Sequence, residues 1–244
     1  MARVKKLSAI LFDIDDTLYS TTEFARKARA NAVDAMLAAG LDVPREIVLK
    51  ELDEVLAEFS SNYEHHFDKL IQRLRPSCLG KKNPALLVAA GVTAYHDTKF
   101  RELKGFDDTY PLFRDLKQAG MRLGVITHGW TVKQAEKLVR LGVVPFLDPQ
   151  AVFISDQIGI SKPNPKLYLT ALADLGLPAN EVMYVGDSPE HDIAPPRSIG
   201  MITVWAKRSA RHDLSGKSFE PDYTIANFGE LRTILRRDFG VKID

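Results

Sequence analysis

Short apolar runs alternate with longer segments of helical spacing over most of this 244-residue chain. Residues 7–12 form a compact apolar stretch bounded by charge, as expected of a strand buried on both faces of a parallel sheet. Similar runs recur at residues 121–127, 151–154, 182–186 and 201–205. The segments between them have readable helix ends. Pro111 suits a first helical position with Gly120 as the C-terminal cap, Thr131 opens a helix that stops at Gly142, and Pro165 opens one that stops at Gly176. Strands alternating with helices of this length predict an α/β fold built on a doubly wound parallel sheet.

The alternation breaks between the first two of these strands, where only helical patterns are found. Thr21 or Thr22 can cap a helix that reaches about Ala39, with Gly40 behind it. Ile47, Leu49, Leu52, Val55, Leu56 and Phe59 mark a second, amphipathic helix. Tyr63, Phe67, Leu70, Ile71 and Leu74 mark a third, and Asn83 followed by Pro84 opens a fourth. Residues 19–99 therefore read as an inserted helical subdomain, and residues 1–18 with 100–244 as the α/β core.

Composition narrows the class further. Hydrophobic residues make up 45% of the chain and charged ones 27%, as in ordinary globular proteins. Lys plus Arg total 33 against 32 Asp plus Glu, so nothing in the net charge asks for nucleic acid or an anionic membrane as partner. The single cysteine, Cys78, can form neither an intramolecular disulfide nor a cysteine zinc site, which suits a reducing cytoplasm. Acidic residues cut the N-terminal apolar stretch short of a signal-peptide core, and no run approaches the ~20 residues that span a bilayer. A cytoplasmic protein without membrane or nucleic-acid partners is expected; its oligomeric state is not readable.

Four motifs stand where predicted strands end, the edge at which open α/β sheets bind ligands. The first is Asp13-Ile14-Asp15-Asp16-Thr17-Leu18. Residues two apart in an extended chain point the same way, so Asp13 and Asp15 would project together, and two such carboxylates repel unless a hard cation such as Mg²⁺ relieves them. A lone Asp-x-Asp reads more simply as a polar turn. A calcium loop is ruled out, because its sixth position would be Leu18 instead of Gly and its twelfth Phe24 instead of Glu.

The second motif, Thr127-His128-Gly129, brings a hydroxyl and turn amides suited to phosphate oxygens. The third, Ser161-Lys162-Pro163-Asn164-Pro165, sets one lysine between stiff prolines, although a solvated lysine is the simpler reading of that residue alone. The fourth, Gly186-Asp187-Ser188-Pro189-Glu190-His191-Asp192, ends another strand in two carboxylates. Asp187 can complete a Mg²⁺ site, and Asp192 can serve either that site or a helix cap.

Together, in this order and at these strand ends, the four motifs resemble those of the haloacid dehalogenase superfamily. The resemblance spans residues 1–18 and 100 to about 205, and the helical insertion after the first motif resembles that family's cap. It implies a Mg²⁺-dependent phosphatase with a Rossmann-like core. Asp13 would be the nucleophile that becomes a phosphoaspartate as well as a metal ligand, and Asp15 the general acid and base with its backbone carbonyl on the metal. Thr127, His128 and Gly129 would hold the phosphoryl group, Lys162 would neutralise it and the nucleophile, Asp187 would ligate Mg²⁺, and Asp192 would bind metal water or Lys162. The chain departs from the family at Pro195-Pro196, where small residues are usual, and the helix there is expected to start late.

Within that superfamily, 2-haloacid dehalogenases displace halide, which needs no protonation, and characteristically lack an aspartate at the position of Asp15. A phosphosugar mutase would use the same residues. A non-enzymatic receiver switch would be about half as long, with its phosphorylated aspartate on a later strand. The expected substrate is a small phosphorylated metabolite, with Tyr63, His65, His66, Tyr95 and Trp130 as candidate specificity residues.

Overall fold

The computed structural model describes residues 5–60, 63–208 and 212–243. In chain order, β1 (Ala9–Phe12) is followed by α1 (Thr21–Ala38), α2 (Arg45–Phe59), α3 (His66–Arg73) and α4 (Pro84–Glu102). The chain continues through α5 (Thr109–Gln118), β2 (Arg122–Thr127), α6 (Thr131–Arg140), β3 (Val152–Ile154), α7 (Ser155–Ile158) and α8 (Pro165–Leu175). It closes with β4 (Val182–Gly186), α9 (Ala194–Ser198), β5 (Ile202–Ala206), β6 (Tyr223–Ile225) and α10 (Phe228–Phe239).

All six strands form one parallel sheet in the order β3-β2-β1-β4-β5-β6. The order reverses at β1, so the crevice beyond the ends of β1 and β4 is the position at which doubly wound sheets bind ligands. Residues Ala9, Ile10, Leu11 and Phe12 are fully buried, which explains why β1 lacks any polar alternation. One face packs Leu11, Ile126 and Tyr184 against Leu167, Tyr168 and Ala171 of α8. On the other, Phe12 meets Phe113 of α5 and Phe228 of α10, with ring centroids 4.8 and 5.9 Å apart. On the α8 face Gly124 makes room in β2, since a Cβ there would lie 2.4 Å from the Ala151 carbonyl oxygen and 2.7 Å from Leu11 Cδ2.

The chain divides into two compact units, one running to Thr21 and resuming at Lys104, the other Thr22–Leu103. These boundaries fall three to four residues beyond those expected at 18/19 and 99/100. The second unit has its own core, in which Val33, Met36, Val48, Leu52, Leu70 and Leu87 meet. Its second helix buries Val48, Leu52 and Val55 and leaves Ile47 more than half exposed, so the apolar stripe is one residue out of phase with the expected one at that end. No described helix is long and apolar enough to cross a membrane.

Helix starts follow their caps. Asn164 accepts from the Lys166 amide at 3.0 Å, with Pro165 next, and Gly176 ends α8 in the left-handed conformation. Pro111 is the third helical residue of α5 rather than the first, since the helix already begins at Thr109. The last strand and helix, β6 and α10, have no counterpart among the expected elements.

Candidate active site

Asp13 follows the last residue of β1, and its amide still donates to the Val185 carbonyl at 2.8 Å. This ties the residue to β4 as well as β1. Lys162 reaches the same point from the loop between α7 and α8. Its Nζ donates to Asp13 Oδ1 at 2.6 Å, Asp192 Oδ1 at 2.8 Å and the Tyr184 hydroxyl at 2.7 Å. Tyr184 in turn donates to the Ile126 carbonyl at 2.7 Å, so its oxygen is free to accept from the lysine. All three ammonium protons are thereby used, as burial of a cation demands. The lysine side chain is only 3% exposed, so it is a fixed charge instead of a solvated one.

Asp192 completes this group. Its Oδ2 accepts from the Ser188 amide at 3.0 Å while Oδ1 holds Lys162. The segment Pro189–Ile193 is wound as a wide π-type turn, and α9 begins only at Ala194 with Pro195 and Pro196 in its first turn. The late start expected from the two prolines is thus present, and the wide turn brings Asp192 back over Gly186. A Cβ on Gly186 would lie 2.4 Å from the Asp192 Cβ. Gly186→Ala is therefore expected to push Asp192 off Lys162 and to cost about 1–3 kcal/mol. Urea melts and turnover would both register it, and an unchanged variant would show that the close approach is dispensable.

Oxygens of Asp13, Asp187 and Asp192 lie within 4.8 Å of one another. Among the described residues, the cation within hydrogen-bonding range of this group is Lys162, on Asp13 and Asp192. Burial, resisted by Lys162 and reinforced by Asp192 and Asp15, pushes the Asp13 carboxyl up to about 7. Burial, followed by Asp13, Asp192 and Asp16, pushes Asp187 up to about 8. Oxygen donors with surplus negative charge in a buried cluster fit a hard divalent cation.

Asp15 belongs to a different cluster. Its Oδ1 accepts from the Tyr19 hydroxyl at 2.6 Å, Thr21 Oγ1 at 2.9 Å and Lys137 Nζ at 2.7 Å; its Oδ2 accepts from the same Nζ at 2.7 Å and from Gln134 Nε2 at 3.3 Å. Desolvation would raise this carboxyl, but the charge of Lys137 and the hydrogen bonds of Lys137, Tyr19 and Thr21 outweigh it and hold it below the usual range. The strand ends at Phe12 and Asp16 turns into the left-handed region at φ 54°, so the two-residue alternation stops short. Among the described residues Asp13 and Asp15 share no hydrogen-bond partner, although Asp15 still contributes to the field on Asp13.

The turn after β2 lies beside both clusters. Thr127 is fully buried and donates to Gln134 Oε1 at 3.3 Å. Gly129, at φ 138°, donates its amide to Ser155 Oγ at 3.0 Å, and a Cβ there would meet Gln134 at 2.4 Å. His128 is exposed, with Nδ1 2.7 Å from Ser161 Oγ. Partial desolvation of the ring, then the charges of Lys162 and His191, lower its pKa.

Of the candidate specificity residues, Tyr95 packs against Phe24 and Phe67 inside the helical unit. Tyr63 stacks on Phe59 and meets His65 and His66 edge-on. Trp130 is 45% exposed under Lys133. Sequence reading missed Gln134, Lys137 and Tyr184. The first two sit three apart on the helix after the phosphate-type turn, a spacing that also suits a solvated face; Tyr184 looked like strand core.

A family model described as haloacid dehalogenase-like hydrolase matches residues 7–200. A glyceraldehyde 3-phosphate phosphatase of Methanopyrus kandleri is 42% identical over 234 residues, covering 94% of this chain and 97% of that protein. A protein of the same name from Methanocaldococcus jannaschii is 39% identical over 230 residues, with coverage of 94% and 97%. Among solved structures, a HAD phosphatase from Thermococcus onnurineus superposes with a TM-score of 0.65 at 24% identity, over 94% of this chain and 98% of that one. That last likeness speaks for the fold alone.

Proposed function

The chain belongs to the haloacid dehalogenase-like hydrolases, and on that premise we propose that it is a Mg²⁺-dependent phosphatase of a small phosphorylated metabolite, working through a phosphoaspartate on Asp13. The observation that carries this reading is the contrast between two aspartates two residues apart. Asp13 lies among carboxylates with one oxygen on Lys162, while Asp15 is held apart by donors of its own. Oδ2 of Asp13 accepts no hydrogen bond among the described residues, which leaves a lone pair for attack on phosphorus.

Asp13, Asp187 and Asp192 offer oxygens for the cation, and the backbone carbonyl of Asp15 is proposed as a further ligand. When bound, Mg²⁺ would offset the carboxylate charge and polarise the phosphoryl oxygens. Lys162 and the backbone amide of His128 are proposed to add fixed positive charge and a dipole where negative charge accumulates, while the Gly129 amide, already given to Ser155 Oγ, shapes the turn. Thr127 is proposed to turn its hydroxyl from Gln134 to a phosphoryl oxygen. Asp15, after taking up a proton, would protonate the departing alkoxide, and as carboxylate it would then deprotonate the water that hydrolyses the phosphoaspartate. A halide would need no such donor, so an aspartate at position 15 favours phosphate esters over haloacids.

The relatives' names point to triose phosphates as first candidates, and no other feature of the core selects among small esters. A panel of glyceraldehyde 3-phosphate, dihydroxyacetone phosphate, glycerol 3-phosphate, p-nitrophenyl phosphate and 2-chloropropionate tests the reading. Phosphate release that requires Mg²⁺, falls to background in EDTA and is fastest with a triose phosphate is expected. Chloride release at a comparable rate, or full turnover in EDTA, would overturn it.

A further inference from the structure

We propose that Lys137 is a positioning residue for Asp15, acting from one face of α6 together with Gln134. This rests on the reading of Asp15 as the general acid and base. Lys137 is 122 residues away in sequence, yet its Nζ bonds both oxygens of that carboxylate at 2.7 Å. The lysine side chain is 18% exposed, and among the described residues its Nζ has no partner besides Asp15. Gln134 lies three positions earlier, on the same face of the helix. One of its amide protons goes to Asp15 Oδ2 and another to the His128 carbonyl at 2.7 Å, while its oxygen accepts from Thr127. One helix face therefore grips the acid and base and the strand-end turn at once. The helix is itself anchored, since Asp156 accepts from the Thr131 amide at 2.9 Å and from its hydroxyl at 2.7 Å.

An ordinary ion pair at a surface adds little to stability and places nothing. Three features point instead to placement. The lysine is largely buried, it bridges two oxygens instead of touching one, and the carboxylate it holds is the reactive one. Bridging fixes the plane of the carboxylate. Lys137 is equidistant from the two oxygens, and its neighbours make them unequal: Oδ1 also accepts from Tyr19 and Thr21, whereas Oδ2 has besides the lysine only the 3.3 Å bond of Gln134. Oδ2 is then the oxygen with room to take and return a proton, and Lys137 sets where it points.

Steady-state kinetics of wild type, Lys137→Met, Lys137→Arg and Asp15→Asn, with the double variant Asp15→Asn/Lys137→Met, tests this, using p-nitrophenyl phosphate and an alkyl phosphate with Mg²⁺. Lys137→Met should lower kcat about 10²-fold, the scale set by misplacing a reacting group, with KM unchanged because Lys137 touches no phosphate-binding group. Lys137→Arg should recover part of the loss. In the Asp15→Asn background the methionine should cost nothing more, since a residue acting only through Asp15 has nothing left to act on. Lys137→Gln, neutral and of similar length, runs beside the methionine variant with thermal melts on both, so that loss of fold is separated from loss of placement. Wild-type kcat in both neutral variants, a rise in KM alone, or an additive loss in the double variant would overturn the inference while leaving the phosphatase reading intact. A wild-type protein inactive on every phosphate ester would overturn both.

Discussion

Asp13→Asn is expected to abolish turnover and leave no covalent phosphate, while Asp15→Asn retains the first chemical step on a good leaving group and stalls at the second. In the first variant the amide that replaces the carboxylate is a poor nucleophile and withdraws one charge from the buried cluster. In Asp15→Asn the nucleophile and its Lys162 contact remain, but proton transfer, typically worth ~10²- to 10⁴-fold, is lost. Alkyl phosphates should suffer most in phosphoryl transfer, because an alkoxide leaves badly without a proton. p-Nitrophenyl phosphate should suffer least, because its phenolate needs no help. Hydrolysis of the phosphoaspartate has no such escape, so phosphoenzyme should accumulate on the aryl ester. Rapid quench and mass spectrometry would find the phosphate on Asp13. Equal slowing of alkyl and aryl esters in single turnovers, with nothing trapped, would show that Asp15 transfers no proton.

Lys162→Met is expected to lose activity and to destabilise the fold by about 3–5 kcal/mol near neutral pH, the usual cost of stripping the partner from buried charge. Its pH dependence is the sharper test. Asp13 and Asp187 already stand at about 7 and about 8 in the folded protein, chiefly through burial, against an ordinary value near 4 in the unfolded chain. The folded state therefore binds the extra protons between about 4 and those values, so stability is fullest below that window and falls as pH rises through it. Removing Lys162, whose charge lowers both groups, should push them higher and steepen the fall. Mg²⁺ should counter it increasingly at higher pH, by about 2.7 kcal/mol at a hundredfold excess over its dissociation constant. Urea melts at pH 5.5 and 8 in EDTA and in Mg²⁺ would measure all three effects. A variant equally stable at both pH values and indifferent to Mg²⁺ would mean that the three carboxylates do not share one electrostatic site.

Five of the six strands were legible because each is an apolar run with a polar break, and the order of helices and strands alone implied a parallel sheet. The Asp13, Thr127 and Asp187 motifs were legible for the same reason: each follows or ends such a run, and strand ends are where a doubly wound sheet exposes side chains; Lys162 stands beyond α7, and the prolines after it marked it instead. What escaped lacked an apolar run or was distant. The edge strand β6, Tyr223-Thr224-Ile225, is no longer than β3 but is not an apolar run, and its middle residue is exposed. Asp13 and Lys162 are 149 residues apart, and no spacing rule says that Tyr184, a residue with the look of strand core, supplies the lysine's third acceptor.

Strand alternation set Asp13 and Asp15 side by side but could not say that each has hydrogen-bond partners of its own, Lys162 for Asp13 and Lys137 for Asp15. By itself the sequence determined the local elements, because periodicity and capping act over a few residues and depend on side chains already adjacent in the chain. Only the tertiary structure decided the partners. Which donors surround a carboxylate depends on which helix packs across which strand end, and α6 reaches Asp15 from the far side of a long insertion. That choice separates a carboxylate in the Lys162 cluster from one caged by Lys137, Gln134, Tyr19 and Thr21. The difference arises from burial and from charges at 2.6–2.8 Å that exist only once the chain has folded.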